Sequence, residues 1–280
     1  LGTNGKQGRA PDSTSYALPA SGLYSMRSGW TTDAVCMVLK CGPDGGWHSQ
    51  PDNGTFSLYA GGRSLMPDAG CYIYSGDPEG RAWFRQTKVH QTLTLGGEDS
   101  RYNPRLLLWQ PGDDLDVLVV ENGSYDNLTH RRTVFFVDKR YFVIVDDAIG
   151  NAVGEVAIHF QLAPGEAIVN LAENSVSSGF TEGWNVRVQS QPQPGMRLEE
   201  EEGWVSFKYN IKEPRPAFRY VVNKTSNQPN SRFITLVVPY ENTPPAINLK
   251  STSDFQPSLN EMVLELEENG EVKKIGFKIN

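Results

Sequence analysis

The chain has 280 residues and carries 26 basic and 33 acidic side chains, so its formal net charge is −7. This acidic balance argues against a nucleic-acid-binding protein, and no run of about 18 apolar residues is present to cross a membrane. The length suits one large all-β domain or two modest ones. Three cysteines, Cys36, Cys41 and Cys71, have neither CxxC nor zinc-ribbon spacing and are expected to be buried free thiols.

The first 20 residues differ in character from the remainder. Residues 1–20 are polar and rich in Gly, Ser and Pro, which predicts a linker or an inbound loop and gives no signal-peptide pattern. The chain starts at Leu1 rather than Met, which leaves a mature product and a fragment open as interpretations. Residues 21–280 are predicted to form one domain.

Short apolar or alternating segments recur along residues 21–280, with polar turns between them. About fifteen such segments occur at spacings of about 8–15 residues, and no segment favours a helix longer than two turns. We therefore predict an all-β fold, a large antiparallel two-sheet β-sandwich, with under about a tenth of the residues in helices. In chain order the strand candidates are AVCMVLKCG at 34–42, FSLYA at 56–60, TLTLGG at 92–97, four segments between 105 and 148, EVAIHFQLAPGE at 155–166, WNVRVQS at 184–190, and five more to the C-terminus.

Three short polar turns predict hairpins within this pattern. They are GGR at 61–63, DKR at 138–140 and ENG at 268–270, each between two strand candidates. After the first turn, the returning run is expected to place Tyr72 and Tyr74 on one face.

The densest group of polar side chains lies in the segment 45–76, around the first of these hairpins. Because separate strands and turns of a β scaffold can bring such side chains together, this segment is the first candidate for a site. Five of its polar residues fall within about twenty positions of one another: His48, Gln50, Asp52, Asn53 and Asp68.

The four histidines differ in their sequence surroundings. His159 lies inside an apolar strand and is interpreted as a hydrogen-bonded core histidine, whereas His130 precedes two arginines and could be at the surface or in a site. His48 follows Trp47 in a glycine-rich loop, which gives the access that a proton-transferring histidine needs. His90 stands at the entrance to a strand, where structural and functional roles are both open. The polar residues of the segment 45–76 favour function for His48 and His90.

The residues alone favour a metal site over the other common kinds of site. Asp68 and His90, with an amide oxygen from Gln50, could hold a divalent ion, although these residues are dispersed in sequence. A serine hydrolase is less attractive because no GxSxG elbow is present. No GxGxxG or P-loop pattern indicates a nucleotide site.

Three stretches resemble a known family. They are WHSQPDNGTFSLYAGGRSLMPDAGCYIYSG at 47–76, WFRQTKVHQTLTL at 83–95 and HRRTVFFVDKRYFVIVDDAIG at 130–150. Together they are similar to the C-terminal half of heparinase III-like polysaccharide lyases, in the wider heparinase II/III-like group. The resemblance extends over almost the whole chain. In that family a β-sandwich works with an N-terminal α/α toroid, which is absent from this chain and is therefore an implied partner.

The resemblance implies roles for individual residues. His48 falls on the catalytic histidine, and Gln50, Asp68 and His90 fall on metal ligands. Heparinase II has a histidine where this chain has Gln50, so calcium is as plausible as zinc for the implied, structural divalent ion. The toroid would add a tyrosine and an asparagine.

The implied reaction is β-elimination on a uronic-acid-containing glycosaminoglycan such as heparan sulfate, in the periplasm or outside a bacterial cell. The anionic polysaccharide requires a locally basic surface, and residues 81–105 carry five basic and two acidic side chains. Arg81, Arg85 and Asn53 are the candidate substrate-binding residues. The alternative is a carbohydrate-binding or structural sandwich without turnover.

Overall fold

The computed structural model describes residues 7–9, 11–227, 230–254, 258 and 261–279. Over these ranges the chain forms one α-helix, α1 (Pro78–Phe84), two 3-10 turns (Gly46–His48 and Thr87–Val89) and 22 strands. The strands, in chain order, are β1 (Tyr16–Leu18), β2 (Leu23–Arg27), β3 (Cys36–Lys40), β4 (Phe56–Ala60), β5 (Arg63–Met66), β6 (Leu93–Leu95), β7 (Pro104–Gln110), β8 (Leu115–Tyr125), β9 (Leu128–Val137), β10 (Tyr141–Ile149), β11 (Gly154–Gln161), β12 (Ala167–Asn170), β13 (Ser175–Ser178), β14 (Trp184–Ser190), β15 (Arg197–Glu201), β16 (Trp204–Lys208), β17 (Ile211–Pro214), β18 (Ala217–Lys224), β19 (Asn230–Glu241), β20 (Ile247–Thr252), β21 (Glu261–Glu268) and β22 (Glu271–Lys278).

The strands form antiparallel sheets of five, eight, four, two and three members. The five-stranded sheet is the meander β1–β5, and the eight-stranded sheet has the order β12-β13-β14-β19-β10-β9-β8-β7. The four-stranded sheet has the order β15-β18-β11-β6, while β16 with β17 forms a two-stranded ribbon and β20–β22 a C-terminal sheet. In the described part of the chain, no helix is long and apolar enough to cross a bilayer.

The eight-stranded sheet is central because both of its faces are buried. Alternate side chains of a strand point to opposite faces, and β8 accordingly sends Leu118 and Val120 into one apolar core and Val117 and Val119 into another. The first core is shared with the five- and four-stranded sheets, and the second with the C-terminal sheet. The predicted all-β antiparallel class is confirmed. The C-terminal sheet adds a third layer to the two-sheet description.

The three predicted hairpin turns are present, joining β4 to β5, β9 to β10 and β21 to β22. Backbone conformations with positive φ occur in each, for example at Lys139 (φ 56°) and Asn269 (φ 53°), as tight hairpins require. The returning run after the first turn differs from expectation. Strand β5 ends at Met66, and Tyr72 (φ 56°) and Tyr74 lie on an irregular loop, with Tyr72 buried and Tyr74 exposed.

Two other sequence expectations are refined. Strand β1 pairs with β2, so the five-stranded sheet already begins inside residues 1–20, which were expected to be a linker or an inbound loop. The described residues Cys36, Cys41 and Cys71 are free thiols, of which only Cys41 is buried. Burial raises the pKa of the Cys41 thiol to about 12.

A buried ion pair joins the central sheet to the polar segment. Arg132 on β9 is fully buried and donates to both carboxylate oxygens of Asp146 on β10, at 2.7 and 3.0 Å. Its remaining guanidinium nitrogen donates to the backbone carbonyls of Gly54 and Gln91, the latter at 2.5 Å. His130 completes the group with a 2.6 Å hydrogen bond to Asp146. One arginine therefore fixes the two loops that carry most of the candidate site residues.

We predict that Arg132→Met destabilises the protein by about 3–5 kcal/mol, because it leaves a buried carboxylate unpaired and removes the donor to two carbonyls. Thermal unfolding followed by circular dichroism measures the effect. Arg101→Met is the matched control, since Arg101 and Asp126 form an exposed bidentate pair and exposed pairs contribute little. Equal losses of melting temperature in the two variants would contradict the role assigned to Arg132.

Candidate active site

His48 is presented by a short loop between β3 and β4. The 3-10 turn Gly46–His48 is held by Asp44, whose carboxylate accepts from the backbone N–H of Gly46 at 2.8 Å and from the hydroxyl of Ser49. Gly46 has φ of 74°, a conformation that glycine adopts without strain. The loop carries Trp47, which is 90% exposed, and the exposed His48 side by side. The imidazole is thus open to a large ligand.

Aromatic rings surround His48. Nδ1 of His48 lies 3.2 Å from the Tyr74 hydroxyl, and the two rings meet edge to face with centroids 5.6 Å apart. Tyr74 stacks in turn on Tyr209, with centroids 6.2 Å apart and planes inclined by 20°. The Arg81 guanidinium lies 4.7 Å from the centre of the Tyr74 ring. The contact with the Tyr74 hydroxyl engages Nδ1 of His48, and Nε2 lies on the other side of the imidazole ring.

The other three histidines, all in described ranges, are buried and hydrogen bonded to carboxylates. His90 pairs with Asp68, His130 with Asp146, and His159 with Glu201 at 2.6 Å. The interpretation of His159 as a core histidine is confirmed, and His130 proves to be a core residue as well. Burial lowers the pKa of His130, although its partner carboxylate acts in the opposite direction.

Asp68 and His90 meet with a third residue, Asp52. Asp68 Oδ2 and His90 Nδ1 are 3.0 Å apart, and potential ligand atoms of Asp52, Asp68 and His90 all lie within 4.8 Å of one another. Asp52 also forms an ion pair with Lys40, whose ammonium reaches the Gln50 carbonyl at 3.3 Å. Metal–ligand bonds of about 2.0–2.5 Å would let one ion contact all three residues after small side-chain shifts.

The electrostatics of the pair reflect both burial and charge. Desolvation acts to raise the pKa of Asp68, but the His90 ring and the Gly70 N–H outweigh it and lower that pKa to about 2. Desolvation likewise opposes protonation of the fully buried His90, yet Asp68 and Asp52 raise its pKa above the ordinary value. Nε2 of His90 is buried and has no hydrogen-bond partner among the described residues. Two carboxylates and one imidazole, whose Nδ1 faces Asp68, are ligand types that fit a divalent cation.

Gln50 lies beside this cluster and also supports the loop. Its amide nitrogen donates to the Gly70 carbonyl at 3.2 Å, and the Gly70 N–H donates to Asp68 at 2.8 Å. Sequence reasoning named Gln50, Asp68 and His90 but gave Asp52 no ligand role. The sequence feature that could have indicated a ligand role for Asp52 is its position two residues after Gln50 in the same polar run.

A second buried arginine was missed entirely. Arg215 donates to the carbonyls of Pro67 at 2.6 Å and Val89 at 3.3 Å, the residues directly before Asp68 and His90. Burial lowers the pKa of Arg215 to about 10, although the nearby Asp68 charge opposes this. No sequence signal identifies it, because its partners lie 148 and 126 positions away.

The three candidate substrate residues have different surroundings. Arg81 and Arg85 lie on and just after α1, are half-buried, and each donates to a backbone carbonyl, Ile73 at 2.9 Å and Ser49 at 3.0 Å. A guanidinium has five donors, so these contacts are compatible with ligand binding. Asn53 is 2% exposed and its amide is bound to both backbone groups of Gly42. The expectation that Asn53 contacts substrate is therefore corrected to a structural role.

Sequence comparison identifies relatives of this chain. The family model described as "Heparinase II/III-like, C-terminal" matches residues 10–250. A heparin-sulfate lyase of Pedobacter heparinus is 42% identical over 262 residues, covering 91% of this chain and 40% of that protein. A heparin-sulfate lyase of Bacteroides stercoris is 39% identical over 285 residues, covering 100% of this chain and 42% of the relative.

Solved structures give the same result. A heparan sulfate lyase from Pedobacter heparinus superposes with a TM-score of 0.92 at 39% identity, and a heparinase III with 0.90 at 31%. These matches cover 99% and 97% of this chain but 44% of each of those proteins. The chain thus spans about two-fifths of the length of its relatives. It belongs to the heparinase II/III-like family and corresponds to its C-terminal part.

Proposed function

We propose that this chain is the C-terminal part of a polysaccharide lyase that cleaves a uronic-acid-containing, heparan sulfate-like glycosaminoglycan by β-elimination, with His48 transferring a proton. The observation that carries the proposal is the contrast among the histidines. His48 is exposed beside the hydroxyl of Tyr74, whose ring packs against the Arg81 guanidinium, whereas the other three histidines are buried against carboxylates. The relatives are heparin-sulfate lyases, which supports the proposed class of reaction.

The chemistry asks for two proton transfers at neighbouring atoms. A base removes the proton from C5 of the uronate, the C4–O4 bond breaks with formation of a C4=C5 double bond, and the departing oxygen takes a proton from an acid. His48 acts as base or acid according to the uronate epimer. Its counterpart is the tyrosine of the N-terminal α/α toroid, which is the partner that this chain requires.

Removal of the C5 proton becomes easier when the uronate carboxylate is neutralised. Arg81 is one candidate for this role, because its guanidinium lies over the Tyr74 ring that contacts His48. Arg85 lies one helical turn further along and is bound to the carbonyl of Ser49, the residue after His48. Guanidinium groups suit two-point contact with carboxylate or sulfate.

A divalent cation, calcium or zinc, would be held by Asp68 and His90 together with Asp52 or the side-chain oxygen of Gln50. Bound there, it would supply positive charge that joins the loop before β4 to the loop after β5. Its role would be structural, since it would hold the residues that follow His48. We also place the protein in the periplasm or outside the cell, where a polymeric substrate is accessible before cleavage.

The second candidate function is carbohydrate binding without turnover. The exposed rings of Trp47 and Tyr74 favour it, because exposed aromatic faces can stack on sugar rings whether or not a bond is broken. An assay of heparan sulfate cleavage, with this chain alone and with the N-terminal part added, separates the two functions. The absorbance of unsaturated uronate reports β-elimination directly.

The first prediction here concerns His48→Ala in the protein supplied with its N-terminal part. The rate of unsaturated uronate formation should fall by about 10²–10⁴-fold, the usual contribution of a general acid–base group. The melting temperature should stay unchanged, because the side chain is exposed. A near-normal rate on heparan sulfate would exclude His48 from catalysis.

The next prediction concerns the ion. Added Ca²⁺ or Zn²⁺ should raise the melting temperature of the chain, since a ligand that binds only the folded state stabilises it. Asp68→Asn and His90→Ala should abolish that increase, and His90→Ala should also lower the melting temperature. Asp44→Asn is the control, because Asp44 is a carboxylate near His48 outside the cluster. Loss of the increase in His48→Ala but not in His90→Ala would show that the two histidines have exchanged roles.

A further inference from the structure

We propose that the β16–β17 ribbon is a saccharide-binding arm of the site, in which Tyr209 stacks on a sugar ring and Lys208 contacts an anionic group of the same polysaccharide. This deepens the proposed function by assigning a subsite beside His48, and in its substrate class it depends on that function. The ribbon comprises residues 204–214 and follows the polar segment by more than a hundred residues.

The ribbon is attached firmly to the loop that follows Asp68. The N–H of Ser206 donates to the Ala69 carbonyl at 2.9 Å, and the N–H of Asn210 donates to the Tyr72 carbonyl at 2.8 Å. Gly70 permits this approach, because a Cβ there would lie 2.4 Å from the Ser206 carbonyl oxygen. The ribbon is therefore held in a fixed position relative to the candidate metal ligands.

The tip of the ribbon continues the aromatic surface of His48. Tyr209 is 57% exposed although it stacks on Tyr74, which itself contacts His48. Contiguous exposed rings of this kind mark interaction sites on soluble proteins. A sugar ring stacked on Tyr209 would thus lie next to Tyr74, the ring that His48 contacts. A polysaccharide bound at His48 would place a neighbouring sugar unit there.

The charge on the ribbon favours an anionic saccharide. Lys208 and Lys212 are both exposed within five positions and outnumber Glu213, the one acidic residue of the ribbon, on a protein whose net charge is −7. The Lys212 ammonium packs 4.7 Å from the centre of the Trp204 ring. Lys208 directly precedes Tyr209 at the tip and is therefore the cation assigned to the anionic group. Aromatic faces combined with cations suit the apolar faces and the sulfate or carboxylate groups of a glycosaminoglycan. A purely apolar docking surface for another domain would not require these lysines.

Binding of size-defined heparan sulfate oligosaccharides to this chain, measured by isothermal titration calorimetry, tests the proposal without any need for cleavage. Tyr209→Ala should weaken binding about fivefold, the effect of losing one ring contact, and Tyr209→Phe should retain it. Lys208→Gln should weaken binding more at low than at high salt, because screening reduces the contribution of an exposed charge.

Trp30→Ala is the matched control and should bind normally, since Trp30 is also exposed beneath an arginine but lies on the β2–β3 connection rather than beside His48. Unchanged binding by Tyr209→Ala, or no binding by the unaltered chain, would overturn the proposal. If Tyr209→Ala instead weakens only association with the N-terminal part, the ribbon is a domain contact and the proposal is wrong. Normal oligosaccharide binding without lyase activity, even with the N-terminal part present, would reject the proposed function and leave the saccharide arm standing.

Discussion

The arrangement of the site depends on a charge placed in the apolar core. Arg132 and Asp146 lie on neighbouring central strands, where desolvation of each ion is costly and only close pairing offsets it. The guanidinium uses its remaining donors on the carbonyls of Gly54 and Gln91. Our hypothesis is that the Arg132–Asp146 pair contributes less to net stability than to specifying the positions of the loops that contain Gly54 and Gln91. A hydrophobic replacement could fill the space but could not select those carbonyls.

Arg215, in the connection between β17 and β18, acts in a similar way. It holds Pro67 and Val89, so each of the residues Asp68 and His90 follows a backbone carbonyl fixed by a buried guanidinium. Gly54 shows how tightly the first of these groups is packed, because a Cβ at that position would lie 3.0 Å from the His130 ring. Side chains that have to meet on loops are thus positioned from the core, where strand register leaves little freedom.

The sequence was most informative where the determining physics is local. Alternation of apolar side chains and short polar turns depend on neighbouring residues, and they predicted the antiparallel strands and the hairpins around Lys139 and Asn269. The family resemblance predicted that Asp68 and His90 would approach each other, as their 3.0 Å contact shows. The contributions of Arg215 and Tyr209 arise from contacts between segments far apart in the chain, which no local pattern records. Asn53 was misjudged because a polar residue in a loop can equally be bound internally, as its contacts with Gly42 show.

The ion pair between Lys40 and Asp52 has a consequence for how the cluster responds to its surroundings. The ammonium is a counter-charge that belongs to the chain itself, anchored on β3 and reaching the Gln50 carbonyl as well. A divalent cation at the proposed site would therefore have to displace the Lys40 ammonium from Asp52 or bind without Asp52. Without a cation, Asp52 stays paired with Lys40 and Asp68 with His90, so removing a cation from the proposed site would leave neither carboxylate unpaired. The affinity of the proposed site for a divalent cation would consequently depend on competition with Lys40, a positive charge encoded in the sequence.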